Sequence, residues 1–357
     1  MIYGVIMAGG SGTRFWPYSR QDRPKQLLNI TGNKTMIRNT VERISPLIPF
    51  ERIIVVTGAT HTEEIKRQIP ELNDDMVLAE PEGRNTAPCI AWAAYKLLKI
   101  DPDGIMVVLP ADHLIVKEEE FRQFLQLAIA AASSGDYLVT FGIVPCRHET
   151  GYGYIRMGPP ATQLGLITVF KVERFVEKPS RTAAEEYVAS GEYLWNSGMF
   201  VWSVGAIKRA FDIHLPSVSR IMDRIAPTLS TPAEKTAIGE AFATMEAISI
   251  DFGIMEKAAN VVAIPINCGW SDIGCWTALE EVWERDDRGN AVNGKVVMLD
   301  GKRCIVFSPE KMTVVIGADD LVVVDTPDAL MVCRKDRAQD VRQLQQILKE
   351  RGYDVLL

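Results

Sequence analysis

The chain has 357 residues, of which 47% are hydrophobic and 24% charged, and it carries a formal net charge of −7. This length and balance predict a globular protein with a large core and about two domains. The acidic balance, with cationic residues dispersed everywhere except near the N-terminus, excludes the dense basic surface that a nucleic-acid partner requires.

No apolar run approaches the roughly 18 residues of a membrane span. The opening MIYGVIMAGG lacks a basic stretch and reaches its glycines too early for a signal peptide, so a cytoplasmic protein without membrane association is expected. The six cysteines (Cys89, Cys146, Cys268, Cys275, Cys304 and Cys333) form no CxxC pair and several lie in apolar segments. This predicts reduced thiols rather than a zinc site or a disulfide framework.

In chain order, residues 2–7 (IYGVIM) read as a buried strand, 35–44 as a helix, 52–57 (RIIVVT) as a strand and 62–68 as a helix. An apolar-striped helix at 87–98, a strand at 104–109, a helix at 118–132 and a strand at 137–142 continue the rhythm. The alternation predicts a mostly parallel, doubly wound α/β sheet with helices on both faces. Ligands then bind beyond the carboxyl ends of the strands. After residue 145, strand-like pieces at 153–157, 168–177 and 198–203 precede helices interrupted by Pro216, Pro227 and Pro232. This region, about 145–265, reads as an insertion covering one side of the sheet. From 289 onward KVVML, CIVF, TVVI, LVVV and ALMV are separated by DGKR, SPEKM, GADD and DTPD, which predicts five short strands in a small all-β module. A last helix at 337–350 carries Val341, Leu344, Ile347 and Leu348 at helical spacing. The expected domains are 1–285 and 286–357.

The stretch GGSGTRFWPYSRQDRPKQL, residues 9–27, asks for a chemical explanation. Gly9, Gly10 and Gly12 follow the first strand, where a backbone free of Cβ atoms can turn tightly and present N–H groups to an anion. A dinucleotide fingerprint would need glycine at Phe15, and a P-loop would need Lys then Ser or Thr where Thr13 and Arg14 stand. Neither familiar phosphate motif is present. What remains is a glycine-rich turn joined to Arg14 and, further on, to Lys25 behind a rigid Pro24. On these residues alone a phosphate cradle and a plain tight turn with solvated cations both stay open.

Taken whole, that stretch resembles the signature of the sugar-1-phosphate nucleotidyltransferases. EPEGRNTAP at 80–88, LPADH at 109–113, TGYGYI at 150–155, FVEKP at 175–179, WNSGMF at 195–200, SIDFGIMEK at 249–257 and GWSDIGCW at 269–276 follow in family order. Together they resemble the mannose-1-phosphate guanylyltransferase branch. The resemblance implies the nucleotidyltransferase fold, a Rossmann-like doubly wound mixed sheet, with a small C-terminal left-handed β-helix-like module. It implies the conversion of GTP and mannose 1-phosphate to GDP-mannose and diphosphate, assisted by Mg²⁺. In that reaction an already anionic sugar phosphate oxygen attacks the α-phosphorus in line. The protein then needs no His, Ser or Cys nucleophile, only positioning and charge neutralisation.

Carried onto this sequence, the resemblance assigns Arg14 and Lys25 as the catalytic charge-neutralisers, one a planar fork and the other a point charge. Ala8, Gly9, Gly10, Gly12 and Thr13 would cradle the nucleotide. Asp112, just past the GIMVVLP strand, and Asp272, which opens a helix predicted over DIGCWTALEEVW, would hold one Mg²⁺ with phosphate oxygens, Asp112 also counting among the nucleotide residues. Without the family, Asp272 reads equally as a helix cap and Asp112 as a turn residue. His113 is expected to play a supporting or structural part, because magnesium prefers oxygen. Glu80 can accept two hydrogen bonds from guanine, with Arg84, Asn85 and Thr86 as further polar candidates; a solvated acidic turn is the plain alternative. For the sugar phosphate the candidates are Lys178 as a cation, Glu177 and Asn196 as partners of hydroxyls, and Gly153 as a point of close backbone approach. Trp195, Trp270 and Trp276 are expected in the core. SIDFGIMEK reads as a helix start capped by Ser249 or Asp251.

Phe15 departs from the family pattern, which has leucine after the arginine, a tolerable change of volume. Larger relatives append a cupin domain with phosphomannose isomerase activity; the last histidine here is His214, so isomerase activity is expected to be absent. The terminal module, as in compact relatives, implies a homodimer. Three alternatives frame the reading: the same reaction on another hexose 1-phosphate or nucleotide, a noncatalytic regulatory module of the same fold, and a dinucleotide-dependent oxidoreductase. The last is opposed by the glycine fingerprint broken at Phe15, and the second by the presence of Arg14, Lys25, Asp112, Lys178 and Asp272.

Overall fold

The computed structural model describes residues 1–10 and 12–357; Ser11 of the glycine-rich stretch lies outside the described residues. The chain divides into two compact units. One comprises Met1–Gly9, Thr40–Ala111 and Ile115–Trp270, and the other Gly10–Asn39, Asp112–Leu114 and Ser271–Leu357.

The first unit is built on nine strands: β1 (Ile2–Ala8), β2 (Ile53–Gly58), β3 (Val77–Glu80), β4 (Ile105–Pro110), β5 (Leu138–Ile143), β6 (Tyr154–Leu164), β7 (Ile167–Val176), β8 (Tyr193–Ser203) and β9 (Val261–Ile266). Their order in the sheet is β3-β2-β1-β4-β8-β5-β9-β7-β6, with β6 also pairing β8. The ladders β3-β2-β1-β4 and β5-β9 are parallel, whereas β8 runs antiparallel to both β4 and β5. The sheet is therefore mixed. The runs IIVVT, IMVVL and LVTFGI are buried along their whole length, as strands covered on both faces must be.

The two faces can be told apart by alternation. Tyr3, Val5 and Leu138 share a core cluster with the Thr86–Ile100 helix. Phe141, three residues beyond Leu138 and so on the opposite face, meets Phe121 of the Glu118–Ser134 helix with ring centroids 5.8 Å apart. Helices thus cover both sides, as the βαβ rhythm predicts. In the insertion, Pro216 opens a helix at its first position, where a missing N–H does no harm.

The second unit carries a ladder of β10 (Ala291–Leu299), β11 (Ile305–Ile316), β12 (Leu321–Asp325) and β13 (Leu330–Arg334). The first two pairings are parallel and the last antiparallel. Four strands stand where five are expected, because CIVF and TVVI belong to one strand. SPEKM is accommodated as a bulge: the register jumps between Gly294 and Val296, and the Ser308 hydroxyl donates to the Lys311 carbonyl at 2.8 Å. Gly294 (φ 105°) is obligatory here, since a Cβ would lie 2.0 Å from the Ser308 carbonyl oxygen.

The core of this unit joins distant stretches of sequence. Phe15 and Trp16 of the signature are buried with Leu28, Ile273, Trp276, Phe307, Val322, Val324 and Val341. Phe15 packs on Trp276 with centroids 5.2 Å apart, so the larger ring in place of leucine is absorbed by the core. Among the described residues no helix is long and apolar enough to cross a membrane.

Candidate active site

The second unit gathers the charged part of the signature. Gly12 (φ 59°) turns the chain into a short 3₁₀ turn at Thr13–Phe15. A Cβ on Gly12 would come 2.4 Å from the Lys25 amide nitrogen, so this glycine lets the two halves of the signature touch. Gln26 Nε2 donates to the Gly10 carbonyl at 3.0 Å and adds a second tie. Lys25, only 4% exposed, donates from Nζ to Asp112 Oδ2 at 2.9 Å and to the Asp272 carbonyl at 2.5 Å. Burial alone would raise the Asp112 carboxyl, but the Lys25 ammonium, with a contribution from His113, holds it below the usual range. His113 Nε2 lies 3.9 Å from Asp112 Oδ1.

Asp272 does not open a helix. It sits in a loop, and the following helical turn is a 3₁₀ segment, Trp276–Glu281, flanked by Cys275. Between them the buried Ile273 has φ 40°, a conformation that β-branched residues adopt only when the surroundings impose it. Its amide donates to Ser271 Oγ at 3.1 Å, and the resulting backbone bend turns the Asp272 carbonyl to Lys25. Gly274 completes the bend: a Cβ there would lie 3.1 Å from both Arg14 Nη1 and Asp272 Oδ2. Arg14, Lys25, Asp112 and Asp272 are thus brought together within this unit.

The C-terminal helix, Val341–Glu350, supports the same turn. Gln345 Nε2 donates to the Thr13 carbonyl at 3.1 Å, and Trp16 Nε1 donates to the Leu356 carbonyl at 2.7 Å. Nothing in the periodicity of that helix, which marks only its apolar positions, signals this contact.

In the first unit, Glu80 ends β3 and Ala8 ends β1, both at carboxyl ends of parallel strands. A Cβ on Gly9 would lie 3.1 Å from Glu80 Oε2. Glu80 is 5% exposed, and its Oε1 has no hydrogen-bond partner among the described residues. Burial pushes this carboxyl up to about 7. Arg84 Nη2 donates to Glu82 Oε1 at 2.7 Å and to the Ala243 carbonyl at 3.3 Å. Asn85 (φ 67°) caps the Thr86–Ile100 helix, its Oδ1 accepting from the Thr86 N–H at 2.8 Å. The Thr86 hydroxyl accepts from the Ile250 N–H at 2.8 Å.

The same unit holds a second polar group. The Asn196 N–H donates to the Gly153 carbonyl at 2.8 Å, and a Cβ on Gly153 would lie 2.8 Å from Glu177 Oε1. Glycine at 153 therefore leaves room for the Glu177 carboxylate. Lys178 is exposed, with φ 42° imposed just before Pro179. Asn196 Nδ2 donates to Asp251 Oδ1 at 2.8 Å. Asp251 is raised from the usual value, first by burial and then by the nearby Glu177 charge, with the Asn196 hydrogen bond opposing. Ser249, not Asp251, caps the following turn, its Oγ accepting from the Phe252 N–H at 3.2 Å. That turn, Asp251–Met255, is π-helical. The sequence marks Asp251 only as a possible cap, so its contact with Asn196 is visible in three dimensions alone. Trp195, Trp270 and Trp276 are all buried.

Residues 3–288 match the nucleotidyl transferase family, and residues 294–348 match the MannoseP isomerase/GMP-like beta-helix domain. The chain is 39% identical to the alginate biosynthesis protein AlgA of Pseudomonas putida, over 99% of this chain and 72% of that protein. It is 38% identical to a mannose-1-phosphate guanylyltransferase of Klebsiella pneumoniae, over 98% of this chain and 74% of that protein. Among solved structures, one from Thermus thermophilus, described as a mannose-1-phosphate geranyltransferase, superposes with a TM-score of 0.88 at 36% identity, covering 98% of this chain and 99% of that one. The chain belongs to the nucleotidyl transferase family, in its mannose-1-phosphate guanylyltransferase branch, and is an α/β enzyme of that family with a C-terminal β-helix domain.

Proposed function

We propose that this enzyme joins GTP and mannose 1-phosphate, releasing diphosphate and GDP-mannose. A sugar phosphate oxygen forms the new bond to the α-phosphorus as the bond to the β-phosphate oxygen breaks, and diphosphate carries the electron pair away. The observation that carries the reading is the meeting of Lys25 with Asp112 and with Asp272, residues 87 and 247 positions away in sequence, beside the Arg14 guanidinium. Such a set suits crowded phosphates: Arg14 offers a planar pair of donors, and Lys25 a charge held in place by two acceptors. Buried and doubly hydrogen-bonded, Lys25 also fixes the position of both acidic residues.

Asp112 and Asp272 are proposed to hold Mg²⁺. Among the described residues no group of three or more His, Cys, Asp or Glu is gathered around a common point, so the two carboxylates form no closed cage. A pair of carboxylates, one kept ionised by a neighbouring ammonium, fits an ion that takes its remaining ligands from phosphates and water. When bound there, the ion would neutralise phosphate oxygens alongside Arg14 and Lys25.

For the base, the proposal is that Glu80 accepts guanine's ring N–H and amino group; its buried Oε1, without a hydrogen-bond partner among the described residues, supports this. Arg84, Asn85 and Thr86 shape the loop that follows. Ala8, Gly9, Gly10, Gly12 and Thr13 contribute backbone to the nucleotide. For the sugar phosphate, Lys178 supplies charge, while Glu177 and Asn196 address hydroxyls beside Gly153. We further propose functional domains at 1–285 and 286–357 and a homodimer formed by the C-terminal module. There Val297, Leu299, Val314 and Ile316 lie opposite one another on β10 and β11, each at least half exposed.

The test is magnesium-dependent diphosphate release with GTP and mannose 1-phosphate, compared by kcat/KM across a panel of nucleotides and hexose 1-phosphates. Release that needs both substrates and the metal, and that favours this pair, is expected. A purified enzyme inert toward the pair in magnesium buffer sinks the reading.

A further inference from the structure

The stretch 248–251 is tied on two sides to candidate residues. The Ala87 N–H donates to the Ile248 carbonyl at 3.0 Å, and the Ile250 N–H donates to the Thr86 hydroxyl at 2.8 Å. One residue further on, Asp251 Oδ1 accepts from Asn196 Nδ2 at 2.8 Å. Its backbone thus reaches the start of the Thr86–Ile100 helix, and its last side chain reaches β8. Ile248, Ile250, Ile254 and Met255 are buried in the main core of this unit, which leaves the stretch little freedom to slide.

The Asn196 amide is held at both ends. Its Oδ1 accepts from the Gly198 N–H at 3.1 Å while Nδ2 is engaged by Asp251, so the two partners fix which way the amide points. Nδ2 carries a second N–H that can serve a ligand. Without the Asp251 carboxylate the amide loses the acceptor that aims this N–H.

We propose that Asp251 is a positioning residue for sugar phosphate recognition, acting through the Asn196 amide, and that 248–251 is a strap by which Thr86, on the base side, shares in that task. The inference rests on the reading of Asn196 given above. Because Thr86 and Asn196 are both tied to these four consecutive residues, a change at one is transmitted to the other through two hydrogen bonds joined by the backbone between Ile250 and Asp251.

Steady-state kinetics with both substrates varied, and thermal unfolding alongside, test this on Asp251→Ala, Asp251→Asn, Thr86→Val and the double variant Asp251→Ala/Thr86→Val. Loss of a hydrogen bond to a charged acceptor predicts that Asp251→Ala raises KM for mannose 1-phosphate about tenfold or more, with a smaller change in kcat. Asp251→Asn retains an oxygen acceptor for Asn196 and is expected within about threefold of wild type. Thr86→Val raises the same KM by about three- to tenfold, and the double variant is no worse than Asp251→Ala alone, because both cut one strap. If Asp251→Ala does not fold, Asp251→Ser, whose hydroxyl is too short to reach Asn196, takes its place with the same expectation. A folded Ala or Ser variant with wild-type sugar KM, or an Asn variant as impaired as they are, overturns the positioning role. Wild-type sugar KM in Thr86→Val, or losses that multiply in the double variant, overturn the strap. An inactive wild type would instead refute the proposed reaction, which keeps the two failures distinct.

Discussion

Glu80→Gln isolates the consequences of one buried charge. The side chain is 5% exposed and its carboxyl is raised from the usual 4.5 to about 7 by burial. A rise of that size corresponds to roughly 3 kcal/mol between the two protonation states. The folded protein holds this proton more tightly than the unfolded chain. The stabilising contribution is therefore complete below pH 4.5, declines as pH rises toward 7, and is gone above it. Urea unfolding of wild type and Glu80→Gln from pH 5 to 8 should show the difference in unfolding free energy shifting in favour of the variant by roughly 2–3 kcal/mol. Most of that shift should fall between pH 5 and 7. The same substitution removes an ionised acceptor for two guanine donors, so the kcat/KM preference for GTP over ATP should fall by about 10- to 100-fold. A pH-independent difference would show that Glu80 does not titrate as a buried acid, and an unchanged GTP preference would show that it does not read the base.

Arg14→Gln removes one donor from the phosphate group while leaving the buried Lys25 network intact; kcat/KM should drop by roughly 30- to 1000-fold, and a loss below fivefold would remove Arg14 from the transition state. Gly12→Ala forces a Cβ to 2.4 Å from backbone at φ 59°, and is expected to destabilise the protein by about 2–4 kcal/mol in chemical unfolding. Gly10→Ala, whose Cβ would meet nothing within 4 Å among the described residues, should leave unfolding unchanged; equal effects would contradict the close-approach argument. Val314→Glu, placed on the outward stripe of the C-terminal ladder, should convert a dimer into a monomer by sedimentation velocity, and a wild type that is monomeric at micromolar concentration refutes the dimer.

Much of this protein is legible along the chain. The runs IIVVTG, IMVVLP and LVTFGI announce doubly covered strands because a buried strand has no solvent face on which polar residues could alternate. The ordered motifs from the glycine-rich turn to GWSDIGCW point to the family by their resemblance to its signature, and the charges they carry are of the kind that phosphate chemistry needs. Local reading fails where local rules compete. DIGCWTALEEVW has a helical pattern, yet Ile273 at φ 40° and Gly274 beside Arg14 hold its first residues in a loop. SPEKM has the composition of a turn, yet it bulges within one strand.

Sequence alone determined the fold class, which follows from periodicity, and the residue types able to handle phosphates, which follow from side-chain chemistry; the family was legible only through the resemblance of its ordered motifs. Only the tertiary structure decided that Lys25 bridges Asp112 and Asp272, that Gln345 holds Thr13, and that Asp251 aims Asn196. Those contacts join residues at least 55 positions apart, and a hydrogen bond between them depends on angstrom-scale placement by packed elements, which no spacing in a linear chain encodes.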